Sequence, residues 1–176
     1  MEKLSLKIAD ACYFTSSVFS DERGSFSSPW ENSRFEPLDF HFRPSSFNYS
    51  HNIKRGTIRA FHFQTHPQEQ AKLVSCISGR IWDVLVDLRE GSPTQFQWDA
   101  IELTAGDGKS VFIPPGCAHG FATLEDHSTV AYLIEGEYAP EASSVFRWND
   151  PSLRIPWPIE DPILSEKDTN APLLFK

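Results

Sequence analysis

Two histidines stand in strand-like surroundings where an imidazole could move a proton. His62 lies in the moderately alternating run Gly56–Gln64, and His119 follows a tight proline–glycine turn at Pro114–Gly116. Proline presets φ and glycine allows positive φ, so the backbone preferences of these residues explain why a tight turn forms here. The free pKa of an imidazole, roughly 6.5, lies close to neutral pH and suits a residue that accepts and releases protons.

Metal binding is one possible use of these histidines. The turn before His119 resembles the second motif of the cupin superfamily, in which many members bind a metal through two histidines one residue apart, a glutamate and the motif-two histidine. The matching segment His62–Gln64 lacks the second histidine. His66 and Glu69 lie nearby, but four residues of strand would separate His62 from His66 by about 13 Å. We therefore predict no metal, and a metal-dependent dioxygenase or isomerase using these residues is the alternative.

Short strands are the elements that must position these side chains. From Gly56 onward, strand-like runs alternate with turn residues, and no stretch shows sustained helical periodicity. This spacing is typical of a sandwich, jelly roll or barrel. Residues 1–50 are less regular, with one short helix expected near Trp30–Phe35. The predicted strands are Gly56–Gln64, Lys72–Ser78, Arg80–Leu88, Trp98–Leu103, Ser110–Ile113, Gly120–Leu124, Thr129–Glu135 and Ser144–Trp148.

Composition and charge restrict the class of protein. The 176 residues, 40% hydrophobic and 23% charged, predict one soluble globular domain over 1–176. The net charge of −8 argues against nucleic acid or an anionic membrane surface as a partner, and no apolar run is long enough to span a bilayer. The N-terminus lacks signal-peptide features, and three cysteines without CxxC spacing are typical of reduced thiols. We therefore expect a cytoplasmic location.

The tail 149–176 is rich in proline but also apolar. Five prolines exclude long helices and central strands there. Ile155, Trp157, Ile159, Ile163 and Leu164 predict that the tail packs against the barrel. An ordered tail of this kind can contribute to a functional site.

A series of segments keeps an order and spacing that is found in one family. The segments are Asp21–Gly24, Gly56–Gln64, Lys72–Val74, Asp83–Asp87, Ser92–Thr94, Ile113–Phe121, Tyr132, Tyr138–Pro140, Trp148–Pro151, Ile155–Pro158 and Leu164–Asp168. The chain thereby resembles the dTDP-4-dehydrorhamnose 3,5-epimerase family, a metal-free branch of the cupins. The resemblance implies an all-β, cupin-type double-stranded β-helix, or jelly-roll barrel, with short peripheral helices. It also implies no cofactor and a homodimer, usually with an N-terminal strand that reaches the partner.

The resemblance further implies a reaction at a ketone. The substrate would be a nucleoside-diphospho-4-keto-6-deoxy sugar, with dTDP as the expected nucleotide, inverted at C3 alone or at both C3 and C5. Inversion requires a base on one face, stabilisation of the enolate oxygen, and an acid on the other face. By the resemblance His62 is the base, Asp168 orients it, Lys72 lies near the keto oxygen, and Tyr132 is the acid.

Substrate-binding residues follow from the same resemblance. Arg23 and Arg59 match arginines that hold the pyrophosphate, whose oxygens pair well with planar guanidinium groups. Phe26 and Tyr138 match aromatic residues that flank the nucleobase. His119 matches a histidine with a supporting role in the same pocket.

Several positions depart from the family pattern. Ser28 stands where a glutamate is common, and Phe47 and Tyr49 replace the polar residues of a Q-x-N segment beside an unusual His51–Asn52. Ala60 replaces a glycine. We expect these positions on the substrate side of the site, so that the nucleotide or the sugar differs from the family's usual one.

Two further functions stay open at this point. A non-catalytic sugar-nucleotide-binding protein would keep the pocket without turnover. A sugar-nucleotide 3,4-ketoisomerase would move the carbonyl instead of inverting a carbon.

Overall fold

Strands make up most of the regular structure in the computed structural model, which describes residues 1–175. Lys176, the last residue of the predicted domain and tail, lies outside the described residues. The short α-helices are α1 Asn32–Phe35 and α2 Glu166–Thr169. The strands are β1 Glu2–Ser5, β2 Cys12–Thr15, β3 Val18–Asp21, β4 Gly24–Ser27, β5 Ser46–Asn52, β6 Ile58–Gln64, β7 Ala71–Ser78, β8 Arg80–Asp87, β9 Trp98–Thr104, β10 Lys109–Ile113, β11 Cys117–Thr123, β12 Ser128–Glu135 and β13 Ser143–Val145.

Two antiparallel sheets pack face to face. One has the order β1-β2-β10-β7-β12-β5 and the other β13-β6-β11-β8-β9, while β3 and β4 form a separate hairpin. The apolar core between the sheets takes Val74, Val111 and Val130 from the first sheet and Leu85 and Phe121 from the second. The predicted all-β jelly-roll barrel with short peripheral helices is confirmed, and the helix expected near Trp30–Phe35 corresponds to α1.

Residues 1–50 contain more strand than the sequence predicted. Strands β1 to β4, of four residues each, and most of β5 lie there. Short strands carry too few residues to display an alternating pattern. Strand β5 reads Ser-Phe-Asn-Tyr-Ser-His-Asn and lies at a sheet edge, so its apolar residues do not mark a core face.

A bulge in β6 brings two candidate residues to the same side. His62 pairs with His119 and Arg59 with Phe121, so two residues of β6 stand opposite Gly120 alone. Strict alternation would place Arg59 and His62 on opposite faces, and the extra residue in the bulge returns them to one face. Gly120 allows the close approach, because a Cβ there would lie 3.0 Å from the Arg59 carbonyl oxygen and nearer still to Ala60.

The C-terminal tail packs on the other face of the five-stranded sheet. Ile155, Trp157, Ile159 and Leu164 contact a buried cluster that includes Phe61. The Trp157 indole donates a hydrogen bond of 2.8 Å to a backbone carbonyl. This packing brings α2 beside β6. Across residues 1–175, the structure has no helix of the length and apolarity that crossing a membrane requires.

The bulge predicts a specific cost for a side chain at position 120. We expect Gly120→Ala to lower the free energy of unfolding by about 1–3 kcal/mol, as overpacking does. Ala60→Gly in the same chain removes the nearest contact, so the double variant should recover part of that loss. Denaturant unfolding measures both variants. The control is Ser46→Ala at an exposed strand position, and a Gly120→Ala protein as stable as wild type would contradict the account.

Candidate active site

One pocket between the two sheets collects most of the residues that the sequence singled out. Strands β6 and β11 supply one wall, and β7 and β12 supply the other. We call it the inter-sheet pocket. Its lining side chains are Arg59, His62, Lys72, His119, Phe121, Tyr132 and Ile134.

His62 reaches this pocket as half of a histidine–carboxylate pair. Its Nε2 lies 2.6 Å from Oδ1 of Asp168, whose side chain is only 3% exposed whereas that of His62 is 40% exposed. The Ser165 hydroxyl caps α2 by accepting a hydrogen bond from the Asp168 backbone N–H. A carboxylate held in this way fixes the imidazole ring and stabilises a positive charge on it. With Nε2–H donating to Asp168, Nδ1 is the nitrogen free to accept a proton.

His119 forms a second pair of the same kind. Its Nε2 lies 2.8 Å from Oδ2 of Asp83, which is fully buried on β8. The other oxygen of Asp83 has no hydrogen-bond partner within the described part of the chain. The sequence analysis gave Asp83 no role, although a signal was present. It stands between Ile81 and Leu85 on a core-facing strand, where an ionised carboxylate requires a partner.

Lys72 brings a cationic group to the opposite wall. Burial lowers the pKa of the Lys72 ammonium to about 8, and the negative charge of Asp83 acts in the opposite direction. The pKa is low enough for the amine to titrate near neutral pH and high enough for the ammonium to predominate at pH 7.

Tyr132 lies beside Lys72 on the same wall. Burial raises the pKa of its phenol, while a hydrogen bond between this phenol and the Ser50 hydroxyl works against that rise. The two hydroxyl oxygens are 3.0 Å apart, and the Tyr132 ring centroid is 6.1 Å from that of His119. The phenol is therefore protonated at neutral pH and available as a donor.

Arg59 places a guanidinium at the exposed side of the pocket. Its Nε donates a hydrogen bond of 2.8 Å to Oδ1 of Asn52, whose own amide donates to the backbone carbonyl of Ser128. Asn52 is 2% exposed, so the acceptor is held rigidly within β5. The terminal nitrogens of Arg59 stay available for an anion. The sequence placed Asn52 on the substrate side of the site, but it did not indicate that Ser50 would contact a pocket residue.

Three candidate binding residues do not line the inter-sheet pocket within one chain. Arg23 is on the β3–β4 hairpin, with a side chain 86% exposed and paired with Asp21 at 2.6 Å. Phe26 is exposed on the same hairpin, and Tyr138 is exposed in the loop after β12. These three residues therefore lie away from the five predicted residues that line the pocket directly, which are Arg59, His62, Lys72, His119 and Tyr132.

The ligand set of the metal-dependent alternative does not assemble. His66 lies outside the inter-sheet pocket, where its Nδ1 is 3.0 Å from a Glu69 oxygen. The Nε2 atoms of His62 and His119 face carboxylates instead. Among residues 1–175 no three His, Cys, Asp or Glu side chains are grouped closely enough to hold a metal ion.

The prediction that the departing residues lie on the substrate side holds for Asn52, which contacts Arg59, but not within this chain for Ala60, Phe47 and Tyr49. Ala60 is fully buried in the core cluster on the outer face of its sheet. Phe47 and Tyr49 are exposed and alternate with Ser50, which points to Tyr132, so they lie on the opposite face of β5. Ser28 donates a hydrogen bond to the Trp30 carbonyl and does not line the pocket. Ala60, Phe47 and Tyr49 therefore give no reason to expect an unusual substrate.

Comparisons with known proteins agree on one family. The family described as dTDP-4-dehydrorhamnose 3,5-epimerase matches residues 5–176. The dTDP-4-dehydrorhamnose 3,5-epimerase of Pseudomonas aeruginosa is 41% identical over 172 residues, covering 96% of this chain and 93% of that protein. The Bacillus anthracis enzyme, solved with TDP and PPi bound, is 39% identical with a TM-score of 0.94, covering 98% of this chain and 99% of its own. A Legionella pneumophila epimerase in complex with dTDP-4-keto-L-rhamnose is 34% identical with a TM-score of 0.91, covering 99% and 94%.

The electrostatics of the pocket predict how Lys72 titrates. We expect one lysine to titrate near pH 8 in the NMR spectrum of protein labelled at lysine Cε, and Lys72→Met to remove that signal. Asp83→Asn should lower this pKa further, because it removes the negative charge that favours the ammonium. The control Asp161→Asn changes an exposed carboxylate and should leave the titration unchanged. A Lys72 that titrates at the ordinary lysine pKa would contradict the prediction.

Proposed function

The chain belongs to the dTDP-4-dehydrorhamnose 3,5-epimerase family, and on this premise we propose that it inverts C3 and C5 of a dTDP-linked 4-keto-6-deoxy sugar. It is an isomerase-class enzyme, since the reaction changes configuration without net oxidation or group transfer. The observation that carries the proposal is the inter-sheet pocket, where the His62–Asp168 pair and the Tyr132 phenol stand on opposite walls. Such a pocket can present a base to one face of a sugar ring and an acid to the other.

Proton abstraction begins at His62. A C–H bond beside the C4 ketone is acidic because its electron pair can move into the carbonyl group. His62 Nδ1 takes that proton, and the buried carboxylate of Asp168, hydrogen-bonded to Nε2, stabilises the resulting imidazolium. The electrons pass to the C4 oxygen, which becomes an enolate oxygen.

Lys72 and Tyr132 complete the inversion. The Lys72 ammonium, predominantly charged below its pKa of about 8, donates a hydrogen bond to the enolate oxygen. Tyr132 then delivers its phenolic proton to the opposite face of the carbon, and the ketone re-forms with inverted configuration. A pocket that supplies both donors in advance lowers the barrier without reorganising water.

A second copy of the chain would account for the position of Arg23 and Phe26. The β3–β4 hairpin pairs with neither large sheet, and it exposes Phe19 and Phe26 to 62% and 66%. We propose a homodimer in which each hairpin brings Arg23 to the pyrophosphate and Phe26 to the base in the partner's site. Arg59, and Tyr138 from the loop after β12, would serve the same nucleotide from the pocket's own chain.

The reduced state of the three cysteines agrees with a cytoplasmic location. Cys12, Cys76 and Cys117 are buried and free of disulfide bonds. Reducing conditions keep thiols in this form, so we propose that the enzyme works in the cytoplasm.

Exchange with heavy water tests the base. Incubating the 4-keto sugar nucleotide in D₂O should place deuterium at C3, and His62→Ala should slow this by roughly 10²–10⁴-fold, the usual contribution of a general base. The readout is NMR of the sugar. His66→Ala is the matched control and should exchange at the wild-type rate, because His66 lies outside the pocket. Undiminished exchange in His62→Ala would remove His62 from the role of base.

Mixing two inactive variants tests the shared site. Co-refolded His62→Ala and Arg23→Ala/Phe26→Ala chains form hybrid dimers in which one site has both an intact base and an intact hairpin. We expect recovery of about a quarter of the wild-type activity, the statistical share of such sites in a two-fold dimer. Each variant co-refolded with itself is the control. Recovery would be absent if each hairpin served its own chain.

A further inference from the structure

We propose that Ser50 is a positioning residue for Tyr132. The Ser50 hydroxyl donates a hydrogen bond to the phenol oxygen of Tyr132 and thereby favours protonation of the sugar on the inverting face. The inference rests on the proposed function, because it assigns a task within the same reaction. Its basis is the 3.0 Å separation of the Ser50 and Tyr132 hydroxyl oxygens. Ser50 lies on β5, opposite Val130 on β12, and its side chain is half-buried.

The direction of this hydrogen bond follows from the chemistry that Tyr132 must perform. A phenol that donates its proton to Ser50 points that proton away from the sugar. When Ser50 donates instead, the phenolic proton is free to face the substrate, and the oxygen is already hydrogen-bonded as negative charge develops on it. Hydrogen bonds to a charged acceptor are roughly twice as strong as neutral ones, so this contact stabilises the state after proton transfer more than the state before it.

Burial makes this contact important. Removal of Tyr132 from water raises the pKa of its phenol, which weakens it as an acid, and Ser50 is the neighbour whose hydrogen bond lowers that pKa. Arg59, which also lowers it, acts through charge at a distance. No other side-chain hydrogen bond to the Tyr132 hydroxyl is present in residues 1–175.

Loss of the Ser50 hydroxyl is expected to change which group returns a proton to the enolate. After His62 has taken the proton, the enolate can regain one from His62 on the original face, which returns labelled starting sugar in D₂O. It can instead receive one from Tyr132 on the other face, which gives the inverted product. Loss of the Ser50 hydroxyl slows only the second route, so label should accumulate in uninverted sugar. A merely structural disturbance would slow both routes together.

Ser50→Thr and Ser50→Val form the matched pair, because they have nearly the same shape and differ in one hydroxyl group. In D₂O with a dTDP-4-keto-6-deoxy sugar, we expect Ser50→Thr to keep the wild-type ratio of inverted product to labelled starting sugar. We expect Ser50→Val to lower that ratio by about tenfold to a hundredfold, the range for a lost hydrogen bond to a charged group. Ser46→Ala, on an exposed residue of the same strand, is the control.

The outcomes separate this inference from the proposed function. Adding Ser50→Val to Tyr132→Phe should change nothing further, since residues that act through one another are not additive. Equal ratios in Ser50→Thr and Ser50→Val, with normal wild-type inversion, would overturn the inference and leave the proposed function intact. Wild-type protein that neither exchanges nor inverts the sugar would overturn the proposed function itself.

Discussion

The hydrogen bond between Asp168 and His62 connects features that are distant in the sequence. It joins the C-terminal tail to the middle of β6, across 106 positions of the chain. A buried carboxylate is costly unless a charged or donating partner meets it, and the imidazole is that partner. The same contact that satisfies Asp168 also fixes the ring of His62. The capped helix α2 and the tryptophan packing of the tail hold this one oxygen against the proposed base.

The side chains that line the site are divided between the two sheets by their chemistry. The five-stranded sheet holds both histidines, each with its own buried aspartate. The six-stranded sheet holds Lys72 and Tyr132, groups that donate hydrogen bonds at neutral pH. The proposed base and the two proposed donors Lys72 and Tyr132 therefore lie on facing sheets, with the Arg59 guanidinium on the side of the base. This asymmetry comes from the fold, because residues on facing sheets of a barrel point toward each other across the interior.

The sequence predicted the strands after Gly56 well because their residues alternate or are continuously apolar. Strand β8 begins at Arg80 as expected and ends one residue earlier, at Asp87. The prediction missed the edge strand β5, whose inward residues Ser50 and Asn52 hold pocket groups instead of filling a core.

Long-range geometry accounts for the remaining differences. No local pattern indicates that the bulge at Ala60 turns Arg59 and His62 to the same face, because the register with β11 produces it. The contact between Asp83 and His119 likewise depends on the pairing of β8 with β11. The family resemblance predicted the five pocket residues and Asp168. The structure identified the neighbours that contact them, which are Ser50, Asn52 and Asp83.

The position of Asp168 in the chain has a consequence for the order in which the protein matures. Every pocket-lining side chain belongs to β6–β12, so a ribosome has synthesised both walls before it reaches the tail. Until Asp168 has been synthesised, the hydrogen bond that orients the His62 imidazole is missing. The hydrogen bond that orients the imidazole forms only when α2 emerges and docks, so the proposed base is oriented later than the walls of the pocket are made.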